Sequence, residues 1–206
     1  MTASNRKPQT LQEKFGFHDD DLKTPQHDAI MMWLDGEARR DAQSLFGIPS
    51  TWTQPQIERT DRVYRDYCSK IGPDAKAKPA LPEWMPPKVL ACVWEQPVAK
   101  TGSNWVAGFV DLRATVAVSD FLHTYNGYWH KEGLQFTFCY SDVDFLVEVK
   151  PKISSAGETI RQIRFYEQHY AERPAQFYIA SQDTRFKGLF ERQGIGFIEV
   201  PKHVIG

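Results

Sequence analysis

The run Val143-Asp144-Phe145-Leu146-Val147-Glu148-Val149-Lys150 places a carboxylate and an ammonium, Glu148 and Lys150, two positions apart in an otherwise apolar stretch. Side chains alternate across a strand, so Val143, Phe145, Val147 and Val149 share one face and Asp144, Leu146, Glu148 and Lys150 the other. One face reads as core and the other as chemistry or solvent. Desolvating such a pair costs more than a surface ion pair returns, and a bound metal ion would change that balance. Upstream, Gly108-Phe109-Val110-Asp111-Leu112-Arg113 sets one carboxylate in the middle of another apolar run. Downstream, Gln162 and Tyr166 stand four apart, close to one face of a helix.

These residues need elements to hold them. Thr24-Pro25 reads as the cap and first turn of a helix whose apolar positions run from Ile30 to Leu34, and Gln54 to Cys68 reads as a second helix stopped by Gly72-Pro73. Pro73, Pro79, Pro82, Pro86 and Pro87 make an extended connector. Val89–Trp94 and Trp105–Val118 are expected to pair as a hairpin across Lys100–Asn104. An aromatic loop from His123 to His130 is then expected to precede a strand over Leu134–Tyr140, which would turn at Ser141-Asp142 into the Glu148 strand. Ser155 and Glu158 match a capping box that opens a helix to about Tyr170; a strand over 175–180, a short helix over 184–193 and a strand over 195–200 follow. The chain thus divides into a flexible N-terminus (1–23), a helical region with its connector (24–87) and a strand-rich core (88–206) of the α/β (α+β) class, a mixed central sheet flanked by helices.

Gly-h-h-Asp on one strand, Glu-h-Lys on a later strand and Gln-x-x-x-Tyr on the next helix, with h an apolar residue, together resemble the PD-(D/E)xK nuclease superfamily, specifically its RecB-like branch. The resemblance covers roughly 89–200 and leaves the N-terminal third uncovered. It implies a restriction-endonuclease-like core and a metal-dependent phosphodiesterase acting on nucleic acid, DNA before RNA and endonuclease before exonuclease. By that likeness Asp111 and Glu148 would hold Mg²⁺, with Mn²⁺ as a substitute, and Lys150 would stand beside the attacking water. Gln162 and Tyr166 would support the site through hydrogen bonds to Lys150 or to a phosphate.

Taken alone, Asp111 also fits a strand-end or surface carboxylate, Lys150 an ion-pair partner of Glu148 or Asp144, and Tyr166 a packing aromatic. Thirty-seven positions separate Asp111 from Glu148, so the loop and a further strand are expected between them, and Asp142 or Asp144 are substitutes for Asp111. Asp144 lies about 13 Å from Glu148 along an extended strand, too far to share one ion with it. Similar families draw an acidic residue or a His from an N-terminal helix. Glu58 and His27 have the right types, but no motif surrounds either, and both read as surface or core residues.

Composition narrows the partners. A net charge of −1 excludes the overall positive field that drives tight nonspecific nucleic-acid binding. The clusters Arg59/Arg62/Arg65, Arg161/Arg164 and Arg185/Lys187/Arg192 read as solvated helix faces. No apolar run approaches the length of a membrane span, and three scattered cysteines, Cys68, Cys92 and Cys139, suit reduced core thiols in a cytoplasmic protein. His123 and His130 lack partner cysteines for a zinc site, and Tyr125, Tyr128 and Trp129 fit burial better than base stacking. Beside the nuclease stand two further readings: a catalytically weak or inactive nuclease-fold subunit that binds nucleic acid or a protein in a larger mobile-element or anti-phage complex, and a nuclease whose specificity a protein partner supplies. A homodimer would bring two sites to the two strands of a duplex.

Overall fold

Thr24 turns the chain into the first described helix, its hydroxyl accepting from the His27 N–H at 3.2 Å, with Pro25 in the first turn, where its missing N–H costs nothing. The computed structural model describes residues 24–99, 106–125 and 133–205. Calls on the first 23 residues, on the Lys100–Asn104 turn and on Tyr128, Trp129 and His130 lie outside them. Helix α1 (Pro25–Leu45) buries Ile30, Met31, Leu34, Ala38 and Ala42 at helical spacing. Helix α2 (Gln54–Ile71) follows, and the Pro-rich connector leads to strand β1 (Lys88–Ala99). Strands β2 (Val106–Tyr125) and β3 (Leu134–Val149), helix α3 (Ala156–His169), strand β4 (Ala175–Ser181), helix α4 (Lys187–Arg192) and strand β5 (Gly196–Glu199) complete the chain.

The fold is α+β: one mixed sheet in the order β1-β2-β3-β4-β5, flanked by helices. β1, β2 and β3 pair antiparallel, and β4 and β5 add parallel to β3. α1 covers one face, packing on Leu112, Ala114 and Val116 of β2, on Phe145, Val147 and Val149 of β3, and on Ala180 and Ile198. Phe46, just past α1, stacks on Phe145 with ring centroids 4.5 Å apart. α3 covers the opposite face through Ile163 and Tyr166, against Val98, Ala107, Val110, Leu146, Phe177 and Ile179. The helical N-terminal region therefore supplies one wall of the sheet's own core. α2 sits on the β2–β3 ribbon, held by Gln56 donating to the Ser119 carbonyl at 3.1 Å and by the Arg59–Asp120 ion pair.

Three expectations change. The turn at Ser141-Asp142 is absent: Leu134 to Val149 is one strand, with Ser141 and Asp142 paired to Val118 and Ala117. A ladder running from Tyr125–Leu134 to Leu112–Val147 outweighs the turn preference of two polar residues, and Asp142 stays exposed to water on the strand. The long separation of Asp111 from Glu148 is thus filled by a β ribbon, which also takes in His123 to Tyr125. In addition, both faces of the Glu148 strand are covered: Asp144 and Leu146 are 0% exposed and Glu148 1%. The cysteines are free and half-buried rather than core.

If α1 is a wall of the core, Leu34→Ala should cost about 3 kcal/mol, as buried Leu truncations do. Urea unfolding reads this directly, and a loss below about 1 kcal/mol would show that the sheet stands without that helix.

Candidate active site

Asp111 lies where β2 passes from one core to the other. Val110 packs with the α3 side and Leu112 with the α1 side, although they are two apart on the strand. Strict alternation would put both on one face, so the strand twists at Asp111. Across from it on β1, Glu95 takes φ +50° between the pairs Trp94–Leu112 and Gln96–Val110. A non-glycine residue pays for that conformation, which marks the twist as imposed by the packing around it. The last β2–β3 pair on this side is Leu112–Val147, and one step further brings Asp111 level with Glu148. There the Asp111 carboxylate breaks into the ladder, its Oδ2 accepting from the Val149 N–H at 2.6 Å.

Glu148 points to the α3 side. Its Oε1 accepts from Gln162 Nε2 at 2.7 Å and lies 3.1 Å from Lys150 Nζ. Gln162 Nε2 also donates to the Tyr166 hydroxyl at 2.9 Å. Four of the five expected residues are therefore joined in one chain of contacts, Lys150–Glu148–Gln162–Tyr166, and Asp111 is near enough to Glu148 to disfavour a second negative charge. The bond expected from Gln162 toward Lys150 or a phosphate goes to Glu148. The packing reading of Tyr166 holds as well, since its ring is fully buried in the α3-side core.

Burial pushes the Glu148 carboxyl up to about 7, with the Asp111 charge acting in the same sense and Lys150 and Gln162 opposing. Its second oxygen, Oε2, is buried with no hydrogen-bond partner. Buried polar atoms are ordinarily hydrogen-bonded, so this oxygen retains capacity for a further donor or cation.

His27, a candidate for the residue that an N-terminal helix brings to the site and also a core residue by its burial, joins this group. Its Nε2 lies 3.2 Å from Asp111 Oδ1, at ion-pair distance but without hydrogen-bond geometry, and its ring is buried. Burial alone would lower its pKa; Asp111 and Asp28 outweigh that and hold it above its usual value. The legible signal was its spacing: His27 continues the stripe of Ile30, Met31, Leu34 and Ala38 by one turn, so a polar side chain was bound to meet the sheet. Glu58 is exposed and accepts from Gln54, so its surface reading stands. Asp144 is tied to Thr115 and Tyr170, and Asp142 is exposed.

Gly108 explains one motif glycine. A Cβ built there would stand 2.8 Å from Tyr166 Cε1 and 3.0 Å from its hydroxyl, so the ring rests directly on the β2 backbone. The Gly-h-h-Asp and Gln-x-x-x-Tyr segments are in contact through this pair.

Among the described residues, no three His, Cys, Asp or Glu side chains form a ready-made metal cluster. The groups present, two carboxylates with one orphan oxygen and an adjacent imidazole, still suit a hard cation that takes the rest of its shell from water. No known protein family, curated protein or solved structure matches the chain. No helix among the described residues is long and apolar enough to cross a membrane.

Gly108→Ala should push the Tyr166 ring off β2 and cost about 1 to 3 kcal/mol, as overpacking does, read as a lowered unfolding midpoint. Glu148 gives a pH signature. Its folded pKa lies above the unfolded value, so the stability it contributes is full below about 4.5 and is lost as pH rises through about 7. Wild-type protein without added metal should therefore weaken more between pH 5 and pH 8 than Glu148→Gln. Equal slopes for the two in urea unfolding would contradict the buried-acid assignment.

Proposed function

We propose that the protein is a Mg²⁺-dependent nuclease that hydrolyses phosphodiester bonds, in DNA before RNA and by internal cutting. The observation that carries the reading is the Glu148 carboxyl, buried beside Asp111 and Lys150 with one oxygen lacking a donor. The motif resemblance to the PD-(D/E)xK superfamily supports the same reaction class. A cytoplasmic setting belongs to the same proposal and rests on three unpaired cysteines.

Asp111 and Glu148 would hold the ion, with His27 beside Asp111. When bound, the ion supplies an acidified water and a counter-charge for the phosphodiester oxygen under attack. Lys150, reaching past Glu148 on a half-buried stem, positions the attacking water and neutralises charge that builds on the phosphate. Gln162 fixes the rotamer of Glu148, and Tyr166 fixes Gln162. Most of the basic side chains on the helices are in ion pairs, with Asp35, Glu37, Asp66, Asp120, Glu158, Glu167 and Glu199, so the overall surface adds little non-specific attraction for a polyanion.

The test incubates closed circular, linear and single-stranded DNA, and RNA, with Mg²⁺, Mn²⁺ or chelator. Cleavage is expected with either metal and none with chelator, and cutting of closed circles assigns an endonuclease. Lys150→Ala, Glu148→Gln and Asp111→Asn should each lower the rate about a hundredfold or more while retaining the far-ultraviolet spectrum of the wild type. Undiminished cleavage by folded Lys150→Ala would refute the assignment. Tight nucleic-acid binding with no cleavage under any condition would point instead to the non-catalytic subunit.

A further inference from the structure

Asp144 is the most deeply buried charged group that the site does not use. It sits on β3 on the same face as Glu148, is 0% exposed, and stands opposite Thr115 in the β2–β3 ladder. Thr115 Oγ1 donates to its Oδ1 at 2.5 Å, and the Tyr170 hydroxyl donates to its Oδ2. Arg173 Nη1 lies 3.9 Å from the same Oδ1. Tyr170 is the residue that ends α3, its own N–H closing on the Tyr166 carbonyl at 2.8 Å and its ring set edge-on to Phe177. Burial and Asp144 together raise its pKa.

The placement along the two elements is regular. Asp144 and Glu148 are about 13 Å apart along the strand, and their partners Tyr170 and Gln162 about 12 Å apart along the helix. α3 thus lies antiparallel to β3 and is fastened to it twice on one face, once at its end and once at its middle. Apolar side chains alone would hold the helix there without the cost of burying a carboxylate, but they would let it slide, because dispersion contacts are non-directional and each is weak. Two hydrogen bonds to fixed oxygens define an axial position.

Building on the nuclease reading above, we propose that Asp144, Thr115 and Tyr170 are positioning residues that set the axial seat of α3 and thereby the bond from Gln162 to Glu148. They touch neither ion nor substrate. They act by keeping Gln162 level with the Glu148 carboxylate, so that its orphan oxygen stays directed at the ion position.

Tyr170→Phe removes one hydroxyl and keeps the ring on Phe177, so it is the variant to compare with wild type and with Ile198→Val, a core truncation on β5 remote from α3. The first readout is the Gln162 side-chain amide in ¹⁵N NMR spectra of protein without metal; the second is Mn²⁺ affinity by calorimetry. Tyr170→Phe should move the Gln162 amide signal and weaken Mn²⁺ about tenfold, the lower range for loss of a supporting hydrogen bond, while Ile198→Val changes neither at an equal or larger drop in melting temperature. A Gln162 signal unmoved by Tyr170→Phe, or moved equally by Ile198→Val, overturns the proposal. A moved Gln162 signal in a protein that binds no Mn²⁺ upholds the clasp and removes the metal reading instead.

Discussion

The molecule is arranged around one costly act, the burial of the Glu148 carboxylate between β3 and α3. Taking such a group out of water is unfavourable by several kcal/mol unless donors and cations replace the solvent. Lys150 and Gln162 replace part of it and leave one oxygen without a donor. The incompleteness has chemical meaning. A carboxyl with a full set of partners would be inert, whereas this one retains capacity for a further positive charge.

In the proposed nuclease that capacity serves only if Asp111 is held nearby, and Asp111 is held by a twist. Because β2 changes cores between Val110 and Leu112, the residue between them touches both sides of the sheet. It reaches His27 on the α1 side and the Val149 N–H beside Glu148. A strand that kept strict alternation would have sent the carboxylate to one side only. The strained Glu95 on the neighbouring strand shows what the twist costs.

Much of this arrangement was legible in the residues. Alternation through Val143–Lys150 placed Glu148 and Lys150 on one face, the Thr24-Pro25 and Ser155 signals opened the helices where they are found, and the four-residue spacing of Gln162 and Tyr166 joined them. What could not be read was long-range. Ser141-Asp142 has the composition of a turn, and only the ladder with β2 makes it strand. His27 carries no local motif, and its meeting with Asp111 depends on α1 lying across β2. Gly108 could be read as a motif letter, but its reason, the Tyr166 ring, comes from 58 positions away. Asp144, too far along the strand to share an ion with Glu148, is held by Thr115 and Tyr170, partners that no local motif names.

The wall built by α1 also bears on how the chain is made. Its apolar stripe around Ile30 and Leu34 shares a core with Ala180, Ile198 and Val200, residues far downstream in the chain. A ribosome releases α1 well before those partners, so the stripe stays uncovered while the intervening strands are made. Contacts this distant in sequence close slowly, and an exposed amphipathic helix is a substrate for holding chaperones in the interval. A helix whose partners lie this far downstream places a demand on folding that chain length alone does not convey.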